Sequence, residues 1–177
     1  MNKDLLKVVY SAVFAALACI ATMIIRIPSV GSVGYVNIGD TIVLLSGWML
    51  GGIYGALAAG IGSAMAEMLG GYMHYFPGTL VIKFAMALVA YLIYKKISNK
   101  IVGLIVSGIV AEIIMIVGYF FYKALLLGKG FAAAVPSIFS NIAQGITCLI
   151  LASLVYFALE KSRFNNVFRA SIRKENK

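Results

Sequence analysis

Charge is scarce in this chain. Only 12% of its 177 residues are charged, Asp and Glu number six, and 62% are hydrophobic. A water-soluble domain carries about 25% charged residues, so this composition, with a mean hydropathy of +0.99, indicates an integral membrane protein. Cysteine is nearly absent too. Cys19 and Cys148 stand in apolar runs with no C-x-x-C spacing and no neighbouring His, which excludes a disulfide framework and leaves buried spectator thiols. The single histidine, His74, and the scattered carboxylates lack metal-ligand spacing, so neither metal nor cofactor is expected. No G-x-x-x-x-G-K-[ST] loop occurs, and any ATP-driven work belongs to another chain. An enzyme embedded in the membrane would have to use Glu67, His74 and Glu112, with no H-E-x-x-H, G-x-S-x-G or paired-Asp motif to organise them.

What the chain does have is length for about six crossings, since a helix needs roughly 20 residues to span a hydrocarbon core about 30 Å thick. The first apolar run, about Leu5 to Ile25, is too long for a signal peptide and lacks a clear cleavage site, so it is read as a retained first helix. Arg26 to Gly39, with Pro28, Ser29, Gly31, Ser32, Gly34, Tyr35 and Asn37, suits an ordered loop with tight turns. Asp40 to Tyr72 is short for two spans and long for one, and charge decides between them. Lys3 and Lys7, then Lys95, Lys96 and Lys100, then Lys161 to Lys177 form three basic clusters that belong on the cytoplasmic side. Asp40 to Tyr72 must therefore cross twice, turning near Gly51-Gly52. Helices over Pro77 to Tyr94, Ile101 to Tyr122 and Ala132 to Leu159 complete an all-α bundle of six transmembrane helices with both termini cytoplasmic. Arg26, Lys123 and Lys129 remain as boundary cations on the other face. Residues 1–160 form the transmembrane domain and 161–177 a basic cytoplasmic tail, either amphipathic on the bilayer surface or free in water. The net charge of +9 lies mostly in these flanks, where it suits anionic lipid rather than nucleic acid.

Polar groups inside apolar segments mark where function sits, because an ionisable residue at a helix centre costs roughly 2.5 to 3.5 kcal/mol on insertion scales. Asp40, Glu67, His74, Lys83, Glu112, Asn141 and Gln144 are such groups. Glu112 has no basic residue within a helical turn and needs a distant ion pair or a ligand. Lys83 can neutralise Glu67 or Asp40 across helices, or face a ligand. Asn141 and Gln144, three apart on one face, offer amides to a heteroaromatic ring or to a neighbouring helix. His74, in Tyr72-Met-His-Tyr-Phe-Pro77, fits a headgroup-level aromatic belt or a ligand contact. Tyr119 and Tyr122 fit outer-interface anchors as well as site residues. Asn37 and Asp40 read as caps at the start of the second helix. Small residues form a further pattern. Gly47, Gly51, Gly55 and Ala59 recur every four residues and suit packing within the bundle, while Ala12 and Ala16 suit either packing or docking by another membrane protein.

The run Tyr35-Val-Asn-Ile-Gly-Asp40, the glycine-rich continuation to Gly70-Gly71-Tyr72 and the run Pro77-Gly-Thr-Leu-Val-Ile-Lys83, set in six short helices, resemble a substrate-binding S component of an energy-coupling factor (ECF) vitamin transporter. The resemblance covers nearly the whole chain and is greatest to the branch with riboflavin, hydroxymethylpyrimidine and pyridoxine S components. It implies capture of a vitamin or precursor outside a bacterial cell by a multi-pass plasma-membrane protein that hydrolyses nothing itself. The implied partners are a transmembrane coupling subunit and two ABC-type ATPases, and the implied transport step is a toppling of the S component in the bilayer. Ala12 and Ala16 match the family's Ala-x-x-x-Ala docking face. The substrate-site candidates are Tyr35, Asn37, Tyr72, His74, Lys83, Glu112, Tyr119, Asn141 and Gln144. Pyridoxine-type vitamers or hydroxymethylpyrimidine are the expected ligands, ahead of queuine-like compounds or riboflavin. A stand-alone facilitator is the alternative, although no internal repeat supports it.

Overall fold

The computed structural model describes residues 3–28 and 35–162. The loop residues Ser29 to Gly34 and the two readings of the tail beyond Ser162 fall outside that range. The chain forms α1 (Lys3–Ile24), a two-stranded ribbon of β1 (Arg26–Pro28) and β2 (Tyr35–Asn37), α2 (Gly39–Met49), α3 (Gly52–Leu69), α4 (Phe76–Lys96), α5 (Lys100–Phe121) and α6 (Pro136–Lys161). A 3-10 turn, Met73–Tyr75, leads into α4. A π-helical turn, Tyr122–Leu126, extends α5, and a single turn, Phe131–Ala134, precedes α6. All six expected helices are present. The ribbon is an addition to the all-α expectation, pairing Arg26 with Asn37 and Pro28 with Tyr35. Runs of three residues are too short to show strand alternation in sequence.

Local chemistry sets the boundaries. Asn99 caps α5 by accepting from the Val102 N–H at 3.1 Å, and prolines stand in the first turns of α4 and α6, where a missing N–H costs nothing. Between α2 and α3 the chain reverses through Gly51 and Gly52, at φ +67° and +52°. Side chains other than glycine are strained in that region, and a Cβ on Gly51 would also lie 2.6 Å from the Tyr91 ring.

Five segments are long and apolar enough to cross a membrane: Asp4–Ile24, Gly52–Leu69, Met73–Lys96, Lys100–Leu126 and Phe131–Lys161. The eleven-residue α2 is not, at about 1.5 Å of rise per residue. It survives because it is wrapped, packing against α1, α3, α4 and α6, with Val43, Leu44, Leu45 and Trp48 in the core. Two of its polar side chains are answered inside the bundle. Ser46 Oγ donates to the Val43 carbonyl at 2.8 Å and stands 3.1 Å from that of Gly55, and Trp48 Nε1 donates to Ser107 Oγ at 2.9 Å.

The glycine stripe packs within the bundle: a Cβ on Gly47 would lie 2.6 Å from the Ala87 carbonyl of α4, and one on Gly55 would lie 2.4 Å from that of Ser46. Ala59 is fully buried. Helix α1 differs. Ala12 and Ala16 are exposed beside Leu5, Val8, Val9, Val13, Leu17 and Ile20.

Candidate functional site

Two polar assemblies meet at the end of the bundle where the ribbon, the start of α4 and the end of α5 come together. The first is centred on Asp40. Helix α2 has Ile38 at its N-cap position with no side-chain cap bond, so the expected capping role of Asp40 is not what this residue does. It is fully buried, pairs with Lys83 Nζ of α4 and accepts from Gln144 Nε2 of α6 at 2.5 Å. Of the two carboxylates open to Lys83, Asp40 is the one it pairs with. Gln144 Oε1 in turn accepts the Asn37 N–H at 2.8 Å, Asn37 Oδ1 accepts the Gly39 N–H at 2.8 Å, and Cys148 Sγ donates to the Asn37 carbonyl at 3.5 Å. Strand β2, α2, α4 and α6 are thus tied through one carboxylate. A buried charge is tolerated only when paired and hydrogen-bonded, and Asp40 has both.

The second assembly is centred on Glu67 near the end of α3. Its Oε2 accepts from Tyr35 OH at 3.0 Å, and its Oε1 stands 3.4 Å from Thr79 Oγ1, which also bonds Tyr119 OH at 2.9 Å. Arg26 donates to the Ala66 carbonyl at 3.0 Å and lies over the rings of Tyr35 and Tyr72, 4.8 and 5.9 Å from their centroids. The ribbon is therefore anchored to α3 by a guanidinium and a phenol. Burial, then the nearby Glu67 carboxylate, raise the Tyr35 hydroxyl above the ordinary phenol range, so it acts as a neutral donor.

Between the assemblies lies a cavity lined by Tyr35, Asn37, Glu67, Tyr75, Tyr119, Lys123, Asn141 and Gln144. Its open space, counting the part that faces solvent, is about 360 Å³. Aromatic walls and a few convergent polar groups are what small-molecule pockets use to fix a ligand.

Of the residues singled out in the sequence, Tyr35, Asn37, Tyr119, Asn141 and Gln144 line this cavity. Tyr72, His74, Lys83 and Glu112 stand outside its lining. The Tyr72 ring meets that of Tyr35 at a tilt of 57°, centroids 4.9 Å apart. His74 is exposed, its ring rests on Tyr75 at 4.7 Å, and its backbone carbonyl accepts from Tyr122 OH at 2.6 Å. Lys83 faces Asp40 and lies 5.2 Å from the centroid of the Tyr119 ring. Glu112 is buried against Gly145 of α6, one residue from Gln144, and neither carboxylate oxygen has a hydrogen-bond partner. The Asn141 amide nitrogen is likewise buried and unpartnered.

Glu67, Tyr75 and Lys123 join the lining although sequence reasoning did not place them there. Lys123, expected as a boundary cation, is buried. A signal was present: Glu112, Tyr119 and Lys123 recur at intervals of seven and four, which puts them on one helical face. Of the two cysteines, Cys148 is buried as expected, whereas Cys19 is only half-buried.

The family follows from comparison with known proteins. Residues 2–161 match the family described as ECF-type riboflavin transporter, S component. The chain belongs to this family. It is 32% identical over 143 residues to an uncharacterised protein of Pyrococcus woesei, covering 80% of this chain and 93% of the relative. It is 25% identical over 169 residues to the thiamine precursor transporter HmpT of Lactococcus lactis subsp. cremoris, covering 95% and 96%. A solved structure described as the S component of a bacterial ECF transporter superposes with a TM-score of 0.69 at 24% identity, over 89% of this chain and 97% of that one, a likeness of fold. This S component is accordingly a multi-pass membrane protein of vitamin transport that works with an ECF module. It is a transporter subunit and not an enzyme.

Proposed function

We propose that this S component captures a small, flat, nitrogen-containing ring of the hydroxymethylpyrimidine or pyridoxine type outside the cell, and delivers it inward by toppling on its coupling subunit. The observation that carries the reading is the cavity: narrow, walled by Tyr35, Tyr75 and Tyr119, and edged by the amides of Asn141 and Gln144 and the carboxylate of Glu67. Such groups present both donors and acceptors to the rim of a heteroaromatic ring. The name of the Lactococcus relative, a thiamine precursor transporter, points to the same class of compound. Glu112 and Asn141 support it further, because each keeps a buried polar group without a protein partner, and such groups call for one. Tyr72 and His74 would cover the ring from the outer side, and Lys83 would hold Asp40 and Gln144 in position below it.

The energising partners in this reading are a transmembrane coupling subunit and two ABC-type ATPases, in a bacterial plasma membrane. Purified alone, the protein should retain its compound, while uptake should require the partners, which separates it from a stand-alone facilitator. Titration with hydroxymethylpyrimidine and with pyridoxine tests the site. Leaving a buried partner unsatisfied costs about 1 to 3 kcal/mol, so Asn141→Ala or Gln144→Ala should weaken binding by roughly one to two orders of magnitude. Glu112→Gln should weaken a protonated ring more than a neutral one, since a charge-assisted bond is about twice as strong. Wild-type affinity in all three folded variants would move the site elsewhere.

A further inference from the structure

The cavity wall contains a buried cation that has no ion-pair partner among the described residues. Lys123 is 7% exposed and takes part in none of the ion pairs among the described residues, which are Lys7–Asp4, Lys83–Asp40 and Lys100–Glu160. Its ammonium lies 5.9 Å from the ring centroid of Tyr75, itself a cavity wall. A lysine near a helix end ordinarily carries its charge out to water or headgroups on its flexible stem, and here the backbone works against that. Residues Tyr122–Leu126 form a π-helical turn, with the Leu127 N–H on the Tyr122 carbonyl at 3.0 Å and the Lys129 N–H on the Lys123 carbonyl at 3.2 Å. Three successive residues of a regular α-helix spread over about 200° of its surface, yet Tyr122, Lys123 and Ala124 are all buried. Widened turns of this kind recur at functional sites.

Glu67 supplies the complement. Its two oxygens receive Tyr35 and, at the long distance of 3.4 Å, Thr79, and a carboxylate offers about four acceptor sites, so acceptor capacity remains in the same cavity. We propose that Lys123 donates a hydrogen bond to an exocyclic oxygen of the bound ring while Glu67 takes an N–H edge, so that the site selects an oxygen-bearing nitrogen heterocycle over its deoxy counterpart. The inference rests on the heteroaromatic reading above and deepens it by assigning the residue that reads the oxygen.

The test is a cycle of protein variants against paired probes: hydroxymethylpyrimidine and the analogue with methyl in place of hydroxymethyl, and pyridoxine and its analogue without the ring hydroxyl. Wild type should prefer the oxygen-bearing member of at least one pair by about 10- to 100-fold, the range expected when a charged donor loses its partner. Lys123→Met should lose that preference by weakening the oxygen-bearing probe alone, and Lys129→Met, at an exposed position, should keep it. If the methionine variant fails to fold, Lys123→Gln takes its place with an expected loss of at least about tenfold. A preference that survives in a folded Lys123 variant, or a wild type that binds both members of each pair equally, overturns the inference. Should wild type bind none of the four probes, the ring reading itself fails. Lys123 is then judged by native mass spectrometry: the compound carried by wild type and Lys129→Met should be missing from Lys123→Met, and its retention there overturns the inference.

Discussion

At the residue scale, Asp40 shows how a charge is kept inside this bundle. It has no access to water, and its two oxygens go to Lys83 and Gln144. Removing one member of a buried pair typically costs about 3 to 5 kcal/mol because the other charge is stranded, whereas neutralising both can cost little. Lys83→Met should therefore lower the thermal midpoint in detergent more than the double variant Asp40→Asn with Lys83→Met, whose amide oxygen still accepts from Gln144. Equal midpoints would mean that the charge of the pair contributes nothing. The sequence made this pairing half legible. A lysine in hydrocarbon needs an acid, but 43 residues of separation between Asp40 and Lys83 cannot say which acid it finds. Asp40 read as a cap for a related reason: an acidic residue in the first turn of a helix fits the helix dipole, and nothing local reveals that α4 and α6 close over it. Glu67 and Lys123 escaped for the opposite reason, since membership of the cavity depends on β2, α3, the Met73–Tyr75 turn, α5 with its π-helical extension and α6 meeting, and no one of these segments shows that meeting.

At the scale of elements, close approach of backbones organises the bundle. Gly62 of α3 faces the Ala15 carbonyl of α1, and a Cβ there would lie 2.2 Å from that oxygen. Without a hydrophobic drive between helices in lipid, such contacts and their dispersion carry association, so Gly62→Ala must push α1 and α3 apart. We expect a loss of about 1 to 3 kcal/mol, the usual cost of overpacking, seen as an earlier unfolding transition, and a wild-type transition would show that the pair can part freely. The stripe Gly47, Gly51, Gly55 and Ala59 was legible because it repeats every four residues. Gly62 was not, because a single glycine opposite a carbonyl leaves no period to read. Length allowed about six crossings, but charge decided the double crossing of Asp40 to Tyr72: the eleven residues of α2 are too few to announce a span, and the return of Lys95 to the side of Lys3 required it. The ribbon left no trace, as its strands are set by Arg26 and Tyr35 reaching α3.

At the scale of the whole molecule, polarity runs along the bundle axis. Lys100 of α5 pairs with Glu160 of α6, and Lys7 and Lys95 lie over Tyr54 and Tyr91, at the end where α2 turns into α3. The ribbon, Tyr75 and Lys123 lie at the other end, around the cavity. If the basic end is cytoplasmic, the cavity opens outward. In intact cells a Ser32→Cys variant should then react with an impermeant thiol reagent and an Asn176→Cys variant should not; the reverse pattern would invert the molecule and remove extracellular capture. The flank of α1 completes the arrangement. Most helices of the bundle bury a face in it, whereas α1 leaves Ala12 and Ala16 exposed between larger apolar side chains, a shallow surface that another helix can approach closely. The cavity residues belong to other segments, so enlarging these two alanines should leave the site untouched while holding a docking helix at a distance. Ala12→Leu with Ala16→Leu should bind hydroxymethylpyrimidine or pyridoxine as wild type does and yet fail in uptake by cells that carry the energising module. Normal uptake would place the coupling surface on another face, and loss of binding would show that α1 supports the cavity rather than the partner.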